Sequence, residues 1–338
     1  MPSYHKRRYI GVKMVLILVI LISIALIIGI HNSRSNTTTN KIKDVTTTQV
    51  NKVFGIGWQT FKFNILLNSS NETVVVYLSY PTYHKGTNVA GATPDLEFAP
   101  YPMIVFSQGF GIPWQNYTVL LNYLTEHGFV VAYVIYPYTD PNVSPPLLRS
   151  DIINHPYELS SAVNDLLDIN KTNSLIKGLI NVNEIGLAGQ SDGGDVSLTV
   201  AVDSEYKNPL FKAVALYSAA EYNVFSGTYF SAPQPPLLIT QGTLDDINPP
   251  YCSIQIYNEA SSPKYYIELV GADHLEPYTQ SNQYESVVAK ASLAFFNTYL
   301  KKHNQIEKLH TVANLSGVSQ LINSSYITPT NQYCPGAP

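Results

Sequence analysis

Charge is scarce in this chain. Only 13% of its 338 residues are Asp, Glu, Lys or Arg, about half the ~25% usual for a soluble globular protein. The 20 basic and 24 acidic side chains leave a net charge of −4. No cluster of Lys and Arg follows the N-terminal segment, and phosphate neutralisation needs one, so nucleic acid is excluded as a partner. Cysteine is scarcer still, at two residues, Cys252 and Cys334. Two are too few for a disulfide scaffold, and these lie too far apart for a zinc knuckle. The eight histidines contain no HxH or HExxH pair, so neither a metal nor another cofactor is expected. What the chain does have is 45% hydrophobic residues and 25 tyrosines. That is enough for a large core and rules out global disorder.

One long hydrophobic run is present, at the N-terminus. Residues 14–30 carry no charge, and counting back to Ile10 gives a 10–30 segment of about 31 Å as a helix, which spans a ~30 Å hydrocarbon layer. Lys6, Arg7 and Arg8 precede it, and the positive flank stays on the cytoplasmic side. The expectation is a basic cytoplasmic stretch (1–9), a transmembrane anchor (10–30) and everything after it outside the cell membrane. A cleaved signal peptide, giving a secreted protein, is the alternative; the run is longer than a usual signal core and lacks a clean small-x-small site. Residues 31–52 are rich in Thr, Asn and Ser without apolar periodicity and read as a stalk. Glycosylation sequons open at Asn36, Asn68, Asn71, Asn116, Asn142, Asn170, Asn314 and Asn323, a density that favours an exterior location. In an oxidising exterior two lone cysteines more often pair than stay free. A Cys252–Cys334 disulfide is therefore expected, with two unpaired buried thiols as the alternative.

From residue 53 short apolar runs alternate with helical patterns. Strand character marks 73–79, 101–107, 129–135, 184–188, 211–217, 236–240 and 264–270, while 116–127, 151–169 and 285–301 have helical spacing. Repeated βα alternation argues for an α/β fold with a mostly parallel sheet covered by helices on both faces. One folded domain is placed at 53–303, and the tail at 304–338 shows little periodic structure.

The sharpest motif is Gly189-Gln190-Ser191-Asp192-Gly193, a G-x-S-x-G directly after a strand and before a helix. That is the context of a nucleophile elbow, in which a sharp turn leaves no room for a Cβ beside the serine. A nucleophilic serine needs a base, and the base needs an orienting carboxylate. Downstream, one strand ends at Gly242-Thr243-Leu244-Asp245-Asp246, and the next ends at Gly271-Ala272-Asp273-His274. Ser191, Asp245 and His274 are the catalytic candidates, with Asp246 as the alternative acid and Asp273 as a loop-capping carboxylate. His127 closes a helix, and the remaining histidines, His155 among them, read as surface or loop positions. Trp114, Tyr136, Tyr217 and Tyr222 lie near strand ends and are candidates to line an aromatic acyl cleft, each equally compatible with ordinary packing.

These motifs resemble the α/β-hydrolase superfamily, nearest to its dienelactone-hydrolase-like, platelet-activating-factor-acetylhydrolase-like and cutinase-like esterase group. Gln108-Gly109-Phe110, the elbow, the acid loop from Gly242 to Pro249 and the histidine loop from Gly271 to His274 follow in the family's order. The resemblance implies backbone N–H groups of Phe110 and Asp192 as an oxyanion hole. It also implies hydrolysis of small-molecule or lipid-like carboxylic esters. Gln108 and Gln190 stand where the family commonly has histidine. Ala219, Ala220 and Glu221 stand where cutinase-like polyester hydrolases have tryptophan, which weighs against a polyester substrate. A surface serine peptidase and a non-catalytic hydrolase-fold binding protein are the alternatives.

Overall fold

The computed structural model describes residues 52–67, 69–143, 146–329 and 333–335. The expected membrane segment, nearly all of the stalk, and Asn36 and Asn68 lie outside these residues. Among the described residues no helix is long and apolar enough to cross a membrane.

Among the described residues ten strands form one sheet: β1 (Gly55–Leu67), β2 (Ser70–Thr82), β3 (Asn88–Ala90), β4 (Tyr101–Ser107), β5 (Val130–Ile135), β6 (Ile180–Gln190), β7 (Phe211–Tyr217), β8 (Leu237–Gly242), β9 (Lys264–Leu269) and β10 (Ser319–Ile322). The helices are α1 (Thr118–Glu126), α2 (His155–Thr172), α3 (Asp192–Val202), α4 (Pro250–Glu259), α5 (Glu276–Thr279), α6 (Gln283–Tyr299) and α7 (Ile306–Ala313). The spatial order of strands is β10-β9-β8-β7-β6-β4-β5-β2-β1-β3. The stretch from β5 to β9 is parallel throughout, and β2 and β10 close it with antiparallel pairs.

The composition of the strands explains this layering. YPMIVFS in β4 and VVAYVI in β5 are buried at every position, as strands covered on both faces must be. Met103 and Val105 join the core beneath α2 and α3, whereas Ile104 and Phe106 face the one built with α1 and α6. In contrast, β1 alternates, with Phe63 and Ile65 buried between exposed Lys62, Asn64 and Leu66, so one of its faces meets solvent.

The chain makes β5 on one side of β4 and β6 on the other. Reversing direction there opens a crevice at the carboxyl ends of β4 and β6, where open α/β sheets bind ligands. The residues following these two strands are Gln108-Gly109-Phe110 and Ser191.

Three expectations need correction. The segment after 303 holds α7 and the edge strand β10, which pairs with β9. His155 is not a surface residue: it opens α2 at 2% exposure, its ring stacked 3.8 Å from that of Tyr136. Asn170 is also buried and bonds both the N–H and the carbonyl of Ile180, so its sequon cannot be modified in the folded chain. The disulfide between Cys252 and Cys334 is present, with Cα atoms 5.0 Å apart.

Candidate active site

Ser191 sits between β6 and α3 with φ +56° and ψ −130°, a conformation a non-glycine residue holds only when its surroundings impose it. Its N–H bonds the carbonyl of Tyr217 and its carbonyl accepts from Asp195, each locking one side of the turn. A Cβ on Gly189 would collide with the backbone of Gly193, and one on Gly193 with the carbonyls of Ser107 and Gln108. The turn therefore packs directly on the end of β4, and the serine side chain faces away from the sheet.

The loops after β8 and β9 complete the constellation. Ser191 Oγ lies 2.8 Å from His274 Nε2, and His274 Nδ1 lies 2.8 Å from Asp245 Oδ2. An ionised carboxylate only accepts, so Nδ1 carries the proton and Nε2 is free to accept from the serine hydroxyl. Ile247 and Asn248 donate backbone N–H groups to Asp245 Oδ1, and Gln241 Nε2 donates to Oδ2 at 3.0 Å. The carboxylate is thereby fixed. Asp246 is exposed on the rim, and Asp273 accepts the N–H groups of Leu275 and Glu276 as a loop cap.

Ser191, His274, Asp246 and Asp273 border a cleft of about 930 Å³. The backbone N–H groups of Phe110 and Asp192 have no acceptor among the described residues, and both residues line this cleft. Asp192 is the first residue of α3, where helix geometry leaves N–H groups unpaired and the dipole favours negative charge. The loop carrying Phe110 is supported from below: Tyr117 accepts from Gly109 N–H and donates to Gln190 Oε1. Gln190 also donates to the carbonyl of His274 at 3.1 Å. Gln108 is buried between Tyr133 and Asp140.

Of the four aromatic candidates only Tyr222 lines the cleft. Tyr136 turns into the core, bonding Ser107, and Tyr217 does the same toward Ser292. Trp114 is stacked on Tyr77 at 4.2 Å, which is in turn stacked on Trp58. Closeness to a strand end says nothing about which layer a side chain enters.

Sequence reasoning missed an acidic pair and its counter-ion. The Asp192 side chain is almost fully buried and held by Arg149 through Nε–Oδ2 at 2.9 Å and Nη2–Oδ1 at 2.6 Å. Arg149 lies over the Tyr222 ring, 5.4 Å from its centre. Asp195, one turn into α3, also borders the cleft and accepts the N–H of Ala220. Burial, reinforced by Asp192, pushes its carboxyl well above the usual range. The Gly-Gly-Asp sequence after the elbow was the available signal for Asp195; nothing local marked Arg149.

A model for a family of proteins described as PET hydrolase-like matches residues 88–326. The chain belongs to this family, within the cutinase-like group of the α/β-hydrolase superfamily. A search of curated proteins finds no match. Family membership carries the coarse assignment, a hydrolase acting on esters. Ala219, Ala220 and Glu221, which follow β7, are all buried.

Proposed function

We propose that this chain is an outward-facing serine hydrolase that cleaves carboxylic esters through an acyl-enzyme. The observation that carries the reading is the unbroken chain Ser191–His274–Asp245 opening on the cleft. Ser191 Oγ attacks the ester carbonyl as His274 Nε2 takes its proton. Asp245 fixes the tautomer of the ring and stabilises the imidazolium that forms. The N–H groups of Phe110 and Asp192 receive the developing oxyanion, the larger electrostatic contribution in such reactions. His274 then protonates the departing alkoxide, and a water attacks the acyl-enzyme by the reverse route. No step calls on a cofactor.

An exterior location is supported by the disulfide, since paired cysteines persist in oxidising compartments. It is supported also by the exposed sequon residues Asn71, Asn116, Asn142, Asn314 and Asn323. We extend the reading to attachment through residues 10–30, so full-length protein should sediment with membranes. A soluble form whose chain starts near Asn32 would remove the anchor and leave export.

The deciding experiment uses a fluorophosphonate probe and a panel of p-nitrophenyl esters. Wild-type protein should be labelled once, at Ser191, and should turn over short esters but not peptides. Ser191→Ala should lose the label and about 10³-fold or more in kcat/KM. Wild-type protein inert to both probe and esters would favour a non-catalytic binding protein; labelling that persists in Ser191→Ala would remove Ser191 as the nucleophile; peptide turnover would favour the peptidase.

A further inference from the structure

Away from the cleft, one cluster of side chains is buried without the partners buried groups need. The 3₁₀ turn Arg149–Asn154 runs directly into α2. Asp151, His155 and Glu158 follow one another along it at spacings of four and three, which places them on one side. One ligand-type atom of each lies within 4.8 Å of the others. His155 is 2% exposed and Glu158 0%. Neither Glu158 oxygen has a hydrogen-bond partner among the described residues, and the same holds for Asp151 Oδ2 and His155 Nδ1. The one ion contact described within the cluster is internal, His155 Nε2 to Asp151 Oδ2 at 3.7 Å.

Nearby groups make the arrangement costlier instead of relieving it. Glu72, bonded by Tyr138, adds a further negative charge. The Tyr136 ring holds the imidazole flat at 3.8 Å, and Thr139 Oγ1 approaches Nε2 at 3.4 Å. A wholly buried carboxylate without a donor, aimed at an imidazole and a second carboxylate, is the donor set of a cation site.

We propose that Asp151, His155 and Glu158 form a structural site for one divalent transition-metal ion, zinc by its donor set. An imidazole among carboxylates suits zinc, whereas calcium and magnesium take oxygen ligands. Ligands at about 2.0–2.2 Å stand roughly 3–4 Å apart around zinc, so a contraction of about 1 Å closes the set. None of the three residues lines the cleft, so the ion takes no part in ester chemistry. Its place is structural: it pins the turn that carries Arg149, whose guanidinium holds Asp192 beside Ser191.

The test uses full-chain protein stripped with chelator, dialysed, and then titrated with zinc, calcium or magnesium. Elemental analysis after gel filtration should find one zinc per chain, accompanied by a rise in Tm. Glu158→Gln and His155→Gln should lower zinc affinity at least tenfold. Because those positions are buried and the variants can misfold, Asp151→Asn at the half-buried edge should weaken zinc equally with an unchanged circular dichroism spectrum. Wild-type protein that retains less than one-tenth of an equivalent and shows no Tm shift would overturn the site. So would a preference for calcium or magnesium, or undiminished zinc binding by folded Asp151→Asn and Glu158→Gln.

Discussion

Glu221 carries a carboxyl into an interior position that offers it one donor. Its Oε2 accepts from Gln255 at 3.0 Å, while Oε1 has no partner among the described residues. Burial, with Glu259 as a like-charged neighbour, pushes the group up to about 8. The folded chain therefore binds this proton more tightly than the unfolded chain, whose glutamate titrates near 4.5. The resulting stability is fully present below about 4.5 and is lost as pH rises through about 8. Glu221→Gln should remove that loss, matching wild type at pH 4 and exceeding it by about 1–3 kcal/mol at pH 9. Urea titrations at the two pH values measure the difference, and equal stability at pH 9 would refute the buried-acid account. At this scale the sequence was legible where a motif fixed a register and illegible where two distant segments met. The Gly-Thr-x-Asp spacing singled out Asp245, which bonds His274, from exposed Asp246. Arg149 is bound to an aspartate 43 positions later, and no local pattern announces such a pair. The aromatic residues misled for another reason: tyrosine serves equally as a cleft wall and as a core residue with one bonded hydroxyl, as in Tyr136 and Tyr217.

The elbow shows what one element demands of its neighbour. Gly193 does not have positive φ, so only the contact of α3 with the end of β4 requires a glycine there. Gly193→Ala should cost more than about 3 kcal/mol or prevent folding, because the clash is with backbone that cannot move aside. Gly178 gives the opposite case: its φ is +72° and nothing lies within 4 Å of a built Cβ. Gly178→Ala should cost only about 1–2 kcal/mol, the left-handed penalty alone. Denaturant midpoints would compare them, and a well-folded Gly193→Ala would contradict the packing argument. The parallel strands were easy to read because burial on both faces makes them uninterrupted apolar runs, as in β4 and β5. The C-terminal elements were hidden by their size. Helix α7 has eight residues with Leu309 and Ala313 buried, and β10 has four residues, SQLI, with alternating burial. Neither is long enough for a period to stand out from chance.

For the molecule as a whole, the disulfide links the two ends of the construction that matter to the cleft. Cys252 lies in the first turn of α4, just after the loop that supplies Asp245, and Cys334 precedes Pro335, which lines the cleft. Around them Ala220 and Tyr251 form a small separate core. Bridging 82 positions removes conformations from the unfolded chain worth about 4–5 kcal/mol in the chain-entropy model. A variant carrying both Cys252→Ser and Cys334→Ser should lose stability up to that amount. Its effect on catalysis should have a particular form. Among the described residues none of Ser191, His274 and Asp245 bonds to the tail, so kcat should change little, whereas freeing Pro335 removes part of a wall and should raise KM for the longer esters. Wild-type protein in a strong reductant should follow the variant in both respects, since it loses the same link without any change of side chain. If the variant keeps wild-type stability, the tail is held by α7 and β10 alone; if it keeps wild-type KM, Pro335 is not a wall the substrate touches. The two readings are independent, because the entropy belongs to the unfolded chain and the wall to the folded one.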